Sequence, residues 1–222
     1  IVMSRLYGPN HRSLQDRFDT RRLADNVEDR IVQTEIIAEH KAFIEARDMF
    51  WLASIDDQGR PTVSYKGGDP GFVRVIDATS LAFPSYDGNG MYLSMGNIAG
   101  NQNVGLLFVD FERPYRLRVQ GMASVNLDDP LLPEFHEAQL VVRVAVSEVF
   151  RNCPRYVHRY KKARESKYVP REGTETPFAG WKRVDDVQSH LPARDQGRAE
   201  HEGGLRTRAE YDALVVTGDN DA

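Results

Sequence analysis

Between Met49 and Phe150 the chain is a succession of short apolar runs broken by glycine and proline, and this pattern constrains its fold most. Several runs combine β-prone residues with turn signals at their ends. The candidate strands are 50–55, 61–66, 72–76, 81–83, 104–109, 116–120 and 142–146. Short strands joined by tight turns are typical of small antiparallel barrels. The segment 89–101 interrupts them and is a candidate short helix, although its glycines make it a poor helix former.

The regions that flank the strands have a different character. Ile36, His40 and Ile44 recur at helical spacing with charged residues between them, which indicates an amphipathic helix. A lone histidine offers no metal geometry, so we expect His40 to be a packed helix residue. Residues 156–160 suit a short helix, and the chain beyond Trp181 is polar. We therefore predict a helical segment packed on the barrel over 1–48, a barrel domain over 49–184 and a polar C-terminal arm over 185–222.

Composition excludes several classes of function. Lys and Arg number 29 against 33 Asp and Glu, a net charge of −4, which argues against broad nucleic-acid binding. A single cysteine and six scattered histidines predict no internal disulfide and no metal site. No apolar run approaches the roughly 18 residues that span a bilayer, and the N-terminus lacks a secretory signal. We therefore expect a cytoplasmic protein with no membrane and no nucleic-acid partner.

No standard catalytic motif is present. The chain contains no G-x-S-x-G elbow, no H-E-x-x-H helix and no G-x-x-x-x-G-K-[ST] loop. The adjacent carboxylates at 56–57 and 128–129 lie in predicted turns, where neighbouring side chains point apart, so neither pair forms an acid/base dyad. The catalytic residues are therefore left unassigned.

The stretch 81–90 carries the strongest indication of binding. A strand ends in Phe83-Pro84-Ser85, and a loop rich in Gly and Asn follows it. Such a loop exposes backbone N–H groups, to which Ser85 and Asn89 add side-chain donors, and together these groups suit a phosphate. Arg74, on the preceding strand, supplies a permanent positive charge. We therefore expect Arg74 and Ser85 to face a common cleft.

The region from Phe50 to about Val125 resembles the FMN-binding split barrel of the pyridoxamine 5′-phosphate oxidase-like proteins, and the likeness extends over Leu14 to Trp181. The segments that carry it are 50–55 through Gly59-Arg60-Pro61, 81–85 with Gly88-Asn89, Asn97-Ile98-x-x-Asn101 leading into 104–108, and the flanks 14–20 and 152–156. The resemblance implies a mainly β fold with flanking helices, built on a six-stranded antiparallel split β-barrel. It also implies a homodimer with FMN bound at the subunit interface.

The resemblance further implies a set of flavin-binding residues. Arg74 falls where the oxidases bind the FMN phosphate, and Ser85 falls on the hydroxyl residue of their Phe-x-[ST] segment. Phe83 and Pro84 would lie along the flavin. Ser64 and Lys66 lie near a second phosphate-binding position of the oxidases. Asn89 lies near their Ser-Arg-Lys segment, which is not reproduced here. Trp181 resembles a tryptophan that closes over the flavin.

One departure from the family leaves the function open. The C-terminal Arg-Leu-His-Asp-Arg type motif that holds the substrate in true pyridoxamine phosphate oxidases is missing, so the small-molecule substrate is not identified. The few basic residues around the phosphate also allow another flavin, such as a deazaflavin. Three hypotheses follow: an FMN-dependent oxidoreductase that passes hydride through flavin N5, a flavin carrier or sensor without turnover, and a structural or haem-binding dimer.

Overall fold

The computed structural model describes residues 4–222, so positions 1–3 of the predicted segment 1–48 lie outside the described residues. The chain forms two compact units, of which the first ends at Lys161 and the second is Lys162–Ala222. The predicted boundaries at 48/49 and 184/185 stay predictions. The elements of the first unit are α1 (Pro9–Arg17), α2 (Arg21–Ile31), α3 (Ala38–Glu45), β1 (Met49–Ile55), β2 (Pro61–Gly67), β3 (Arg74–Asp77), β4 (Ser80–Ser85), α4 (Leu93–Gly100), β5 (Asn103–Asp110), β6 (Tyr115–Asn126), a 3-10 turn (Leu132–Glu134) and β7 (Leu140–Asn152).

The seven strands form one antiparallel sheet in the order β2-β1-β5-β6-β7-β4-β3. The predicted mainly β fold with flanking helices is therefore confirmed. The predicted six-stranded split barrel is wrong in its strand count, because the sheet has seven strands. Its edges, β2 and β3, do not pair with each other within residues 4–222, so the sheet is open. Strand β3 has only four residues, and within the described part of the chain it pairs with β4 alone, so it ends the sheet.

Although its edges stay unpaired, the sheet curls around a single core. Strands β1 and β4 are four positions apart, which would separate them by roughly 19 Å in a flat sheet at about 4.8 Å per strand. The rings of Phe50 on β1 and Phe83 on β4 nevertheless lie 5.0 Å apart, in an edge-on contact. Both side chains are fully buried, together with Leu52, Phe108 and Leu117. The inner faces of strands from both halves of the sheet therefore share one apolar interior.

The two longest strands are offset at one glycine. The β6–β7 register shifts between Gln120 and Gly121, where a β-carbon on residue 121 would collide with the carbonyl oxygen of Ala145. Such irregularities bend a strand and increase its local twist. The offset therefore lets β6 and β7 follow the curl of the sheet.

Helix α4 packs on the inner side of the sheet and positions the cleft described below. Met95 and Ile98 enter the core, while the amide of the buried Asn97 donates to the hydroxyls of Ser54 and Thr62, each at 3.1 Å. These two hydroxyls also lie 3.0 Å from each other across the β1–β2 pair. The helix is therefore held to both strands at its middle, which fixes where its N-terminus lies.

The second unit is built from short helices around a small core. Its helices are the 3-10 segments Gly180–Arg183, Asp185–His190 and Ala193–Asp195, followed by α5 (Arg198–His201) and α6 (Arg208–Thr217). Phe178, Leu191 and Ala199 form the core, with Trp181 packed against it. Beside them Lys182 and Asp195 form a buried ion pair at 2.7 Å. Among the described residues, no helix has the length and apolar character needed to cross a membrane.

Candidate functional site

A cleft of about 240 Å³ opens between β2, the N-terminus of α4 and the loop that follows β4. Residue alternation along β2 decides which side chains face it. Ser64 and Lys66 point toward α4, whereas Val63 and Tyr65 point outward and are exposed. The lining residues are Ser64, Lys66, Ser85, Tyr86, Gly88, Asn89, Gly90, Met91, Tyr92, Leu93, Ser94 and Met95.

Lys66 is the only lysine or arginine that lines this cleft among the described residues, and it is half-buried. Its Nζ donates to Ser94 Oγ at 3.3 Å. Within residues 4–222, Lys66 forms no ion pair with a carboxylate. Burial lowers the pKa of the Lys66 ammonium, and no neighbouring carboxylate opposes that effect. The site thus holds a partly desolvated cation that no carboxylate of the described residues neutralises.

Hydroxyl groups surround this cation. Ser64 Oγ and Ser94 Oγ lie 2.7 Å apart, so Ser94 is shared between Ser64 and Lys66. Ser85, at the end of β4, brings a third hydroxyl into the lining. A hydroxyl both donates and accepts, so this set can rearrange its hydrogen bonds to donate toward an anion.

The N-terminus of α4 faces the same space. The residue before the helix, Tyr92, has left-handed backbone geometry with φ 48° and supplies no side-chain cap. The first backbone N–H groups of a helix have no intrahelical partner and carry the positive end of its dipole. The amides of the first turn, at Leu93, Ser94 and Met95, therefore add to the positive potential around the cleft.

A short hydrogen-bond chain holds the loop that forms the outer wall. Tyr92 Oη donates to Gln139 Oε1 at 2.6 Å, and Gln139 Nε2 donates to Asp87 at 3.1 Å. Inside the loop, the backbone N–H of Met91 donates to Asn89 Oδ1 at 3.1 Å. These contacts tie both ends of the loop to the start of β7.

Four predicted site residues come together in this cleft: Ser64, Lys66, Ser85 and Asn89. Arg74 is not among them. It pairs in register with Ala82, which lies on the face of β4 opposite to Ser85. Its guanidinium bonds Glu134 and stacks on Phe135 at 4.5 Å. The expectation that Arg74 and Ser85 face a common cleft is therefore wrong.

The structure places the remaining predicted residues elsewhere. Phe83 and Pro84 are buried, and Phe83 packs in the core against Phe50. Trp181 belongs to the second unit and packs on its core; its predicted closure over a flavin stays a prediction. Sequence reasoning missed Ser94 and Tyr92, although the predicted helix in 89–101 was a signal that a helix start lies near the glycine loop.

The family model for pyridoxamine 5′-phosphate oxidase matches residues 36–165, which is more than half of the chain. The matched region runs from the residues just before α3 to beyond β7 and contains every residue of the cleft. The chain therefore belongs to the pyridoxamine 5′-phosphate oxidase family, and the predicted resemblance is confirmed.

Solved structures similar to this chain carry different descriptions. HupZ from Group A Streptococcus is 20% identical, with a TM-score of 0.43, and the match covers 52% of this chain and 93% of that one. HutZ, the heme storage protein from Vibrio cholerae, is 19% identical over 52% and 93%, with a TM-score of 0.40. An FMN-binding protein from Syntrophomonas wolfei is 8% identical over 63% and 97%, with a TM-score of 0.41. No curated protein matches the sequence.

Proposed function

We propose that this protein binds FMN, with the flavin's phosphate in the cleft at Lys66, and that it is a flavin-dependent oxidoreductase acting on a small molecule. The observation that carries the proposal is the Lys66 ammonium, partly buried and without a carboxylate partner in residues 4–222. A desolvated charge is costly unless it is compensated, so this position favours an anionic ligand.

The surrounding groups favour a phosphate in particular. An ammonium, the hydroxyls of Ser64, Ser85 and Ser94, and the free amides of a helix N-terminus are the donors that bind phosphate groups in proteins. The family membership supports the same choice, because the resemblance to this family implies FMN as the cofactor. FMN ends in a phosphate that such a cleft can hold.

The chain's own residues would then bind and orient the cofactor. Lys66 neutralises the phosphate charge, the serines fix its orientation, and the loop tied by Gln139 limits access of water from one side. When bound, the flavin supplies the redox chemistry, which is hydride exchange with a small molecule. No residue of the cleft is assigned as a general acid or base.

The decisive experiment compares FMN with riboflavin, which lacks the phosphate. We expect the wild-type chain to bind FMN more tightly, and Lys66→Gln to lose about tenfold to a hundredfold in FMN affinity while riboflavin affinity changes little. Arg74→Gln separates the two candidate anchors, because Arg74 lies outside the cleft and its loss should leave FMN affinity nearly unchanged. Equal FMN affinity in wild type and Lys66→Gln would refute the proposal, and a loss in Arg74→Gln alone would restore the anchor expected from sequence.

Two further measurements separate the hypotheses that remain open. Mass spectrometry of the ligand released on denaturation distinguishes FMN from a deazaflavin or haem. Anaerobic mixing with NADH, NADPH or an amine then distinguishes an oxidoreductase from a carrier or sensor. Bleaching of the bound flavin supports turnover, and an unreduced flavin with every donor supports the carrier.

We also propose that the protein is a homodimer that pairs through the outer face of β2, β1, β5 and β6. Tyr65, Trp51, Leu107 and Arg118 are register partners in a row across these strands, so their side chains share one face. On this face the side chains of Tyr65 and Val63 are 63% and 67% exposed. Exposed apolar residues clustered on a sheet are typical of interfaces, and a cleft beside β2 would then lie near the subunit boundary.

A further inference from the structure

A second cavity lies in the first unit, where the end of α2 and the start of α3 meet β6 and β7. It measures about 90 Å³, and its charged and titratable lining is Arg30, Glu39, His40, Tyr115 and Arg151. One water takes up roughly 30 Å³ in the liquid, so the cavity has room for about three waters or one small ion. The cavity shares no lining residue with the cleft of Lys66.

His40 is the unusual component of this cavity. It is 5% exposed, and its Nδ1 has no hydrogen-bond partner among the described residues. Buried polar atoms in proteins are almost always paired, so an unpaired nitrogen in a cavity wall needs an explanation. Burial lowers the pKa of the His40 ring; the carboxylate of Glu39 opposes this shift, and the guanidinium of Arg151 adds to it.

Positive charge dominates the remainder of the lining. Arg151 approaches Glu39 at 4.0 Å, and the Tyr115 hydroxyl donates to the same carboxylate oxygen at 3.5 Å. Arg30 forms no ion pair within residues 4–222, so two guanidinium groups face one carboxylate. Helix α3 also begins here, and Ile37, its first flanking residue, provides no side-chain cap for the amides of the first turn.

We propose that this cavity binds a small oxyanion of the size of inorganic phosphate or a short carboxylate. The guanidinium groups of Arg30 and Arg151 present planar donor forks that suit either anion. The dipole of α3 adds a favourable potential, and the volume excludes a nucleotide or a flavin. An anion in the cavity favours the protonated His40 ring, so binding strengthens as pH falls through the pKa of His40.

The test follows the His40 ring by NMR in the full chain, with and without phosphate or acetate, and His40→Gln identifies its resonance. We expect the anion to raise the pKa of His40, and Arg151→Gln or Arg30→Gln to weaken anion binding about tenfold. Arg22→Gln is the matched control, since Arg22 is an exposed arginine on the same helix as Arg30 and does not line the cavity. A response to either anion supports the proposal and identifies the preferred class.

Two results would overturn the proposal. One is a His40 titration that is identical with and without both anions. The other is an equal loss of anion binding in Arg22→Gln and Arg151→Gln, which would indicate diffuse surface charge. Arg30→Gln removes an exposed side chain and keeps the test valid if Arg151→Gln does not fold.

Discussion

Lys66 has opposite consequences for ligand binding and for stability. Its ammonium loses part of its hydration in the folded chain, and among the described residues it gains only a hydrogen bond to the hydroxyl of Ser94. Because its pKa is lowered on folding, the charge opposes folding at neutral pH. We predict that Lys66→Met stabilises the ligand-free protein by about 1 kcal/mol, roughly 2–4 °C in thermal unfolding, while it weakens FMN binding.

The lowered pKa of Lys66 also sets the sign of the pH dependence. Between this pKa and the ordinary value of 10.5, the unfolded chain binds more protons than the folded one, so stability rises with pH. The advantage of Lys66→Met should therefore shrink as pH increases over this range. Lys41→Met is the control. Because Lys41 pairs with Glu45 at 2.7 Å, removal of its charge should not stabilise the protein. A Lys66→Met variant that is less stable than wild type at pH 7 would contradict the conclusion that the desolvated Lys66 ammonium opposes folding.

At the scale of residues, the sequence indicated four of the twelve residues that line the cleft. The resemblance identified Lys66 and Ser64, but Ser94, which joins them, lies 28 positions along the chain from Lys66. The predicted helix in 89–101 indicated a helix start near the glycine loop, but not that it would contact this pair. Arg74 was misplaced for a different reason. The side of a strand on which a residue points depends on pairing register, and the Arg74–Ala82 register is visible only in the folded sheet.

At the scale of elements, turn residues predicted the strands well, because glycine and proline mark where strands must end. Helix α4 also lies within the predicted segment 89–101, although its glycines disfavour a helix, since Asn97 and Ile98 anchor it in the fold. The predicted helix at 156–160 is wrong. There the backbone N–H of Tyr160 donates to Phe111 on the β5–β6 turn, and the segment is irregular.

The irregularity at Gly121 yields a prediction on how the sheet curls. A methyl group at this position meets the backbone of Ala145, which cannot move without disturbing β7. We predict that Gly121→Ala destabilises the protein by about 1–3 kcal/mol in denaturant unfolding. Gly105→Ala, on the neighbouring strand β5, is the matched control, since its new methyl would lie 3.8 Å from Ala53, an ordinary contact. Equal stability of the two variants would show that the β6–β7 register does not depend on this glycine.

At the scale of the whole molecule, the number of strands does not by itself determine whether the sheet closes into a barrel. The sheet is curled enough to bring Phe50 onto Phe83, yet β2 and β3 remain unpaired edges within residues 4–222. Helix α4 packs on the inner side of the sheet, where Met95 and Ile98 join the core. Among the described residues, no helix packs extensively on the outer face of β2, β1, β5 and β6. A curled sheet whose outer face exposes Val63 and Tyr65 is a shape that a second copy of the chain can complete.

We predict that Tyr65→Asp converts the proposed dimer into a monomer in light scattering, because it places a charge on the proposed interface. Val216→Asp is the control, since Val216 is 86% exposed on α6 and lies in the second unit. If the flavin site is completed by the partner, Tyr65→Asp also lowers FMN affinity, whereas Val216→Asp does not. A wild-type chain that is monomeric at all concentrations would refute the dimer, and dissociation by both variants would show that the Tyr65 face is not the specific contact.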